Sequence, residues 1–170
     1  MLPRERVFAA LDHREPDRIP WGEHSIDYNV YEDILGRPTL VQAKFRETLA
    51  WWAGRRDEIV ECVKRDRLDL IRALEMDIVF VSRVAPKGYK PDPLEKLDDE
   101  TYRDKAGNLY RISATTHDLM MFKNVQPPAQ PPRIEDLEAA LEKAQKEPVG
   151  QPDPSEWEVV RHAVREMGKT

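Results

Sequence analysis

Apolar side chains recur three and four positions apart along much of the chain, a spacing that places them on one face of an α-helix. Gly36 suits the end of one such helix, and Thr39 suits the N-cap of the next. Asp153 is a second N-cap, with Glu156 completing a capping box. Helices are therefore predicted over residues 4–11, 29–35, 39–52, 57–74, 134–141 and 153–168.

Two short apolar stretches have the character of strands. Residues 77–83 are apolar at consecutive positions from Ile78 to Val81, which is typical of a strand buried on both faces of a parallel sheet. Residues 19–22 form a shorter stretch, in which Pro20 limits hydrogen bonding. A strand directly after a long helix is the order of an α/β unit, so the predicted fold class is α/β. A compact α+β domain is the alternative.

Residues 100–123 have a different pattern. Two short segments rich in aromatic and β-branched residues flank Gly107, which predicts an antiparallel β-hairpin with the glycine in its turn, and residues 117–123 predict a third strand. A parallel sheet does not need this piece, so it is interpreted as an insertion. The proline-rich residues 125–133 behind it predict a stiff linker to the last two helices, within residues 134–168.

Composition narrows the class of protein. A formal net charge of −5 gives no reason to expect binding to nucleic acid, and no apolar run approaches the length of a membrane span. The single cysteine, Cys62, excludes an internal disulfide and is predicted to lie in the core. The segment after Met1 does not resemble a secretory signal, so a cytoplasmic location is expected.

Residues 3–20 carry the most distinctive pattern of the chain. An Arg-Glu-Arg helix is followed by His13-x-x-Pro16-Asp17-Arg18-x-Pro20. This arrangement resembles the start of many members of the uroporphyrinogen decarboxylase superfamily, which includes cobamide-dependent methyltransferases. Weaker similarities lie at residues 31–37, 104–108 and 134–137.

The resemblance implies a (β/α)8 TIM barrel of about twice this length. The 170 residues would then be its amino-terminal part: helices and the first strand in residues 3–75, the second strand at 77–83, and the hairpin insertion. Chemistry in such barrels belongs to the loops that follow the strands. Arg18 lies before the first strand, where it closes the barrel floor with a carboxylate or, alternatively, binds substrate.

The loops after the two predicted strands nominate the candidate site. His24 would act as a general acid or base or as one metal ligand, and Asp27 would orient it. Arg83 would bind a carboxylate. The alternatives are a solvated histidine, a packing role for Tyr28 and an exposed arginine at a loop entrance. The predicted catalytic residues are His24 and Asp27, and the predicted substrate-binding residues are Glu23, Tyr28, Ser82 and Arg83.

The residues after the first predicted strand distinguish the decarboxylase branch of the superfamily from the methyltransferase branch. True decarboxylases carry an arginine-rich segment there, which holds the carboxylates of the substrate. Residues 21–28 contain no arginine and two acids, Glu23 and Asp27. An acidic pocket repels a polycarboxylate, so the methyltransferase branch fits better.

Methyltransferases of this kind take a methyl group from a cobamide on a partner protein. They hold zinc through a histidine and two cysteines in the later half of the barrel. This segment alone is expected to bind no cofactor or metal, because it has one cysteine. The expected partners are a small-molecule substrate and a corrinoid protein, and an oligomer is an open alternative. The chain is expected to be inactive alone. The alternatives to a truncated enzyme are a non-catalytic binding or interaction domain and one subunit of a split barrel.

Overall fold

The computed structural model describes residues 1–125, 131–148 and 150–168. These residues form six α-helices, one 3-10 helix and four β-strands. The elements in chain order are α1 (Pro3–Leu11), α2 (Tyr28–Leu35), α3 (Phe45–Trp52), α4 (Arg56–Ala73), β1 (Glu95–Lys96), β2 (Thr101–Arg103), β3 (Leu109–Ile112), β4 (Leu119–Lys123), α5 (Ile134–Lys146), the 3-10 helix η1 (Pro154–Trp157) and α6 (Glu158–Met167).

The fold is mixed α/β, and its sheet is open and antiparallel. The four strands pair in sequence order, and within the described ranges no parallel strands pair and no barrel forms. The predicted hairpin over residues 100–123 is present, and Gly107 has the positive φ of 89° that its turn needs. The strand predicted at 117–123 is β4, and β1 adds a short fourth strand.

The strands predicted at residues 19–22 and 77–83 are not strands in the structure. Only one backbone acceptor joins them: the Trp21 carbonyl accepts hydrogen bonds from Asp77 N at 2.8 Å and Ile78 N at 3.2 Å. The amide groups of residues 79–83 have no backbone acceptor within the described part of the chain. β-branched side chains favour extended backbone, but a strand also requires a neighbour along its length.

These two stretches nevertheless run side by side in the same direction. Arg18 contacts the Glu75 carbonyl and Asp77, Trp21 contacts Asp77 and Ile78, and the His24 ring meets Phe80. Positions later in the first stretch therefore contact positions later in the second. We call residues 19–22 and 77–83 the paired segments, and the loops after both of them lie at the same end.

Gly22 marks the closest approach of the paired segments. A Cβ at this position would lie 2.7 Å from the Ile78 carbonyl oxygen and 2.8 Å from its Cβ. Gly22→Ala is therefore expected to lower the free energy of unfolding, measured in urea, by about 1–3 kcal/mol. Gly150→Ala is the matched control, because a Cβ there meets nothing within 4 Å. If the two variants lost the same stability, the close approach would not exist.

Helix α4 is the centre of the helical part. It packs against α2, α3 and α6, and most of its apolar stripe is buried. One apolar cluster joins Cys62 and Leu70 to Tyr31 and Val41, which confirms the predicted core position of the cysteine. No described helix is long and apolar enough to cross a membrane.

The buried side chain of Arg56 ties the start of α4 to distant parts of the chain. Its guanidinium donates to the carbonyl oxygens of Ala85 at 2.8 Å and Ser155 at 3.0 Å, and lies 3.4 Å from the Glu158 carboxylate. The predicted N-cap, Asp153, accepts from Ser155 N. The capping box thus fixes the turn that Arg56 contacts.

All six predicted helices are present, but the predicted start of α3 at Thr39 is wrong. The helix begins at Phe45, because the Thr39 hydroxyl is used elsewhere: it donates to the buried Asp66 at 2.8 Å and accepts from Val41 N. Of the predicted linker at 125–133, residues 126–130 lie outside the described part.

Candidate functional site

A charged cluster fixes the starts of the paired segments. Arg6 donates to Asp17 at 2.6 Å and contacts Asp77 at 2.5 Å, and Arg18 donates to Asp77 at 2.6 Å. Hydrogen bonds from Arg6 hold the pKa of Asp17 well below its usual range. Arg18 thus pairs with a carboxylate, as the floor alternative predicted. The cluster joins the distinctive turn of residues 13–20 to the second segment.

At the other end of the paired segments, Glu23 and His24 form a tight turn. The Glu23 carboxylate accepts from His24 N at 2.8 Å and Ser25 N at 3.3 Å, so its first role is to close this turn. The His24 ring is exposed and meets the Phe80 ring edge-on, with centroids 5.5 Å apart. His24 therefore reaches from the first segment to the second while its nitrogens stay accessible.

Asp27 and Tyr28 face a second set of polar groups. The Asp27 carboxylate lies 3.0 Å from Lys44 Nζ, and the Tyr28 hydroxyl lies 2.9 Å from His117 Nδ1. Lys44 and His117 both have positive φ, near 55° and 57°, which is strained backbone for residues other than glycine. Asp27 makes no hydrogen bond to His24 in the described chain, so it does not orient that ring here.

Ser82 and Arg83 line a hollow of about 210 Å³ beside the end of the second segment. We call it the Arg67 hollow. Its polar lining comes from three parts of the chain: the loop before α3, the inner faces of α3 and α4, and residues 82–83. The polar side chains are Gln42, Glu47, Trp51, Arg67, Ser82 and Arg83.

Arg67 has the most unusual surroundings in this hollow. Its guanidinium donates to the neutral Phe80 carbonyl at 2.5 Å, and its charge opposes the rise that burial causes in the pKa of Tyr31. Its buried Nε has no acceptor, and no carboxylate forms an ion pair with Arg67, among the residues that the structure describes. A half-buried cation without a counter-charge is costly, so this arrangement requires an explanation.

Glu47 and Arg83 complete the electrostatics of the hollow. Burial raises the pKa of Glu47, although the Trp51 indole hydrogen bond opposes the shift. Arg83 is exposed, lies 3.5 Å from the Glu156 carboxylate and stacks on the Trp157 ring with its Cζ 5.7 Å from the centroid. Glu47 is the one acidic lining residue of the hollow in the described chain, and the positive charge of Arg67 also opposes the rise in its pKa.

The structure separates the predicted site residues into two groups. His24, Asp27 and Tyr28 follow the first segment, and Ser82 and Arg83 line the Arg67 hollow after the second. Gln42 of the hollow and Lys44 beside Asp27 are two residues apart, so one loop borders both groups. Sequence reasoning missed Arg67, although its spacing from Ile59 and Val63 put a cation on the apolar stripe of α4.

The zinc site that the family resemblance implies does not fit these residues. Within the described ranges, no three side chains of histidine, cysteine, aspartate or glutamate come together as metal ligands. Cys62, the one thiol of the chain, is buried and donates to Asp66 at 3.0 Å. Burial raises the pKa of Cys62, which opposes formation of the thiolate that binds zinc.

Comparisons with known proteins give no relative. No protein-family model, no curated protein and no solved structure matches the chain. The proposals below therefore rest on the residues and their geometry.

Proposed function

We propose that this chain is the amino-terminal part of a partial (β/α)8 barrel enzyme like those of the uroporphyrinogen decarboxylase superfamily. The observation that carries the proposal is the pair of segments that run side by side in one direction and share the Trp21 carbonyl. Barrel strands one and two have this relation, with parallel direction and direct contact.

The free edge of the second segment supports the same proposal. Residues 78, 79 and 81 are only partly exposed, yet the amides of residues 79–83 have no backbone acceptor in the described chain. Half-buried backbone amides need partners, and an extended apolar edge is a template for a further strand. A third strand of the proposed barrel would supply those acceptors.

The candidate residues lie at the end of the barrel where chemistry is expected. Loops after parallel strands build the active sites of such barrels, and His24 and the Arg67 hollow both follow the paired segments. In this proposal His24 transfers a proton and Asp27 is the second catalytic residue. Glu23, Tyr28, Ser82 and Arg83 bind the small-molecule substrate.

Within the superfamily, we propose the methyltransferase branch. Glu23 and Asp27 lie in the segment where true decarboxylases carry arginines that bind the substrate. The methyl donor would be a cobamide on a corrinoid partner protein. Any zinc would need ligands from outside the described residues.

The test compares the 170-residue chain with the product of its whole natural reading frame. The chain alone is expected to transfer no methyl group from methylcobalamin to a thiol and to decarboxylate no porphyrinogen, whereas the longer product transfers the methyl group. In that product His24→Ala is expected to lower the rate about 100-fold or more. His162→Ala, at a half-buried position of α6 beside Arg165, is the matched control and should leave the rate unchanged.

Three other outcomes are informative. A frame that ends at Thr170 in a chain that requires a second subunit would support the split-barrel form of the proposal. A frame that ends there in a stable monomer would contradict it and favour a non-catalytic domain. Methyl transfer by the 170-residue chain alone would contradict the need for further strands.

A further inference from the structure

The guanidinium of Arg67 forms no ion pair with a carboxylate of the described chain, although Glu47, which lines the same hollow, attracts it electrostatically. It donates to the neutral Phe80 carbonyl oxygen, and its buried Nε has no hydrogen-bond partner among the described residues. Other partly buried arginines of the chain, such as Arg6 and Arg56, do have acidic partners. The fold therefore pairs its inward-facing arginines with acids as a rule, and Arg67 departs from that rule beside a cavity.

We propose that the Arg67 hollow binds a small carboxylate, with the anion held by Arg67 and Ser82. A guanidinium matches the two oxygens of a carboxylate in geometry and charge, and a hydroxyl can donate a further hydrogen bond. Ser82 is exposed at the rim and lies on the same cavity wall as Arg83. The bound anion would give Arg67 the direct ion pair that it lacks within the described chain.

The size and the remaining lining restrict the ligand further. A hollow of about 210 Å³ is smaller than the pockets that take drug-sized molecules, so the ligand has only a few heavy atoms. Its apolar wall consists of Val41, Ile59, Val63, Val81, Val84 and Ala85. A short aliphatic chain behind the carboxylate fits this wall, whereas a polycarboxylate would place further charges against it.

Glu47 would repel an anion if it were ionised. Burial raises the pKa of Glu47, which reduces this repulsion and lets the carboxyl group donate a hydrogen bond when protonated. Arg83 lies at the rim, where its charge is already paired with Glu156. With Glu47 protonated, Arg67 is the charged lining residue left without an ion pair in the described chain, which favours an anionic ligand over a cationic one.

The inference rests on the proposed function only in placing the hollow at the active-site end of a barrel. Binding at the hollow requires no methyl transfer and no further strands. A chain that binds the probe without being part of a barrel, and a barrel enzyme that fails to bind it, are therefore distinguishable results.

The test is calorimetric titration of the 170-residue chain with propionate and, as a neutral isostere, propionamide. Propionate is expected to bind saturably at one site, with propionamide weaker by about ten-fold or more. Arg67→Met should weaken propionate binding by a similar factor. Arg72→Met is the matched control, an exposed arginine on the same helix, and should leave binding unchanged.

Circular dichroism shows whether Arg67→Met still folds, and Ser82→Ala provides a second variant at an exposed position. Ser82→Ala is expected to weaken propionate about five-fold, the loss of one hydrogen bond to a charged group. Three results would overturn the inference: no saturable binding of propionate, equal binding of propionamide, or unchanged propionate affinity in a folded Arg67→Met chain and in Ser82→Ala.

Discussion

Asp77→Asn is expected to lower the free energy of unfolding by about 3–5 kcal/mol. The Asp77 side chain is fully buried and accepts hydrogen bonds from Arg6, Arg18 and the Trp21 amide. Asparagine has nearly the same volume but no charge, so the variant leaves the nearly buried Arg6 with one acidic partner fewer. The measurement is urea unfolding at neutral pH, followed by circular dichroism.

Asp99→Asn is the matched control for this prediction. The Asp99 side chain is fully exposed and pairs only with Lys96, at 3.0 Å. An exposed pair of this kind contributes little, so the control should change stability by less than about 1 kcal/mol. If Asp77→Asn lowered the free energy of unfolding no more than Asp99→Asn does, the charged cluster would not hold the paired segments in place.

Asp66→Asn is expected to lower the free energy of unfolding by about 3–5 kcal/mol, and this loss should depend on pH. The buried carboxylate accepts from Arg37 at 2.7 Å, Thr39 at 2.8 Å and Cys62 at 3.0 Å. Burial pushes the pKa of Asp66 upward, but hydrogen bonds from Arg65, Cys62 and its other donors outweigh this effect, and the pKa lies well below its usual range.

The sign of the pH effect follows from that depressed pKa. The contribution of Asp66 is fully present above the unfolded-state pKa of about 3.9 and is lost as the pH falls toward the folded-state pKa. The stability difference between the wild-type chain and Asp66→Asn should therefore be constant from pH 7 to about pH 5 and shrink below pH 4. Urea midpoints at each pH measure it.

Asp69→Asn is the control at a neighbouring position. Asp69 also pairs with Arg37, at 2.6 Å, but its side chain is 36% exposed. Its replacement should cost less than about 1 kcal/mol. If the stability difference between the wild-type chain and Asp66→Asn stayed unchanged down to pH 3, the ionised form of the Asp66 carboxylate would not be the source of the stabilisation.

The helices were predictable because helical periodicity is a local property of the sequence. The Asp153–Glu156 capping box and the turn at Gly36 are also local, and both are present. The start of α3 was not predictable in this way. Thr39 has the right side chain for an N-cap, but its hydroxyl bonds to Asp66, 27 positions later, and a long-range contact leaves no periodic signal.

The paired segments were predicted as strands, and the structure does not form strands there. Consecutive β-branched residues favour an extended backbone, but a strand is a property of two neighbours, and the paired segments share only one backbone acceptor. That Arg18 pairs with a carboxylate was within reach of sequence reasoning. The identity of its partner, Asp77, was not, because it depends on tertiary contact.

The candidate site was predictable in part. Placing polar residues after strand-like segments nominated Ser82 and Arg83, which the structure puts around one cavity. Arg67 was overlooked because a cation on a long, highly charged helix is usually a solvated residue. Its spacing of four and eight from Val63 and Ile59 was the available signal that it faces inward.

The contacts of Arg56 have a consequence for how the chain folds during synthesis. Its partner Glu158 lies 102 positions later. A ribosome adding about 5–20 residues per second needs roughly 5–20 s to reach it. Until then the guanidinium can pair with Asp57, the next residue, at 2.7 Å, and later with the Ala85 carbonyl. The set of contacts that encloses Arg56 is therefore completed only after the hairpin has been made.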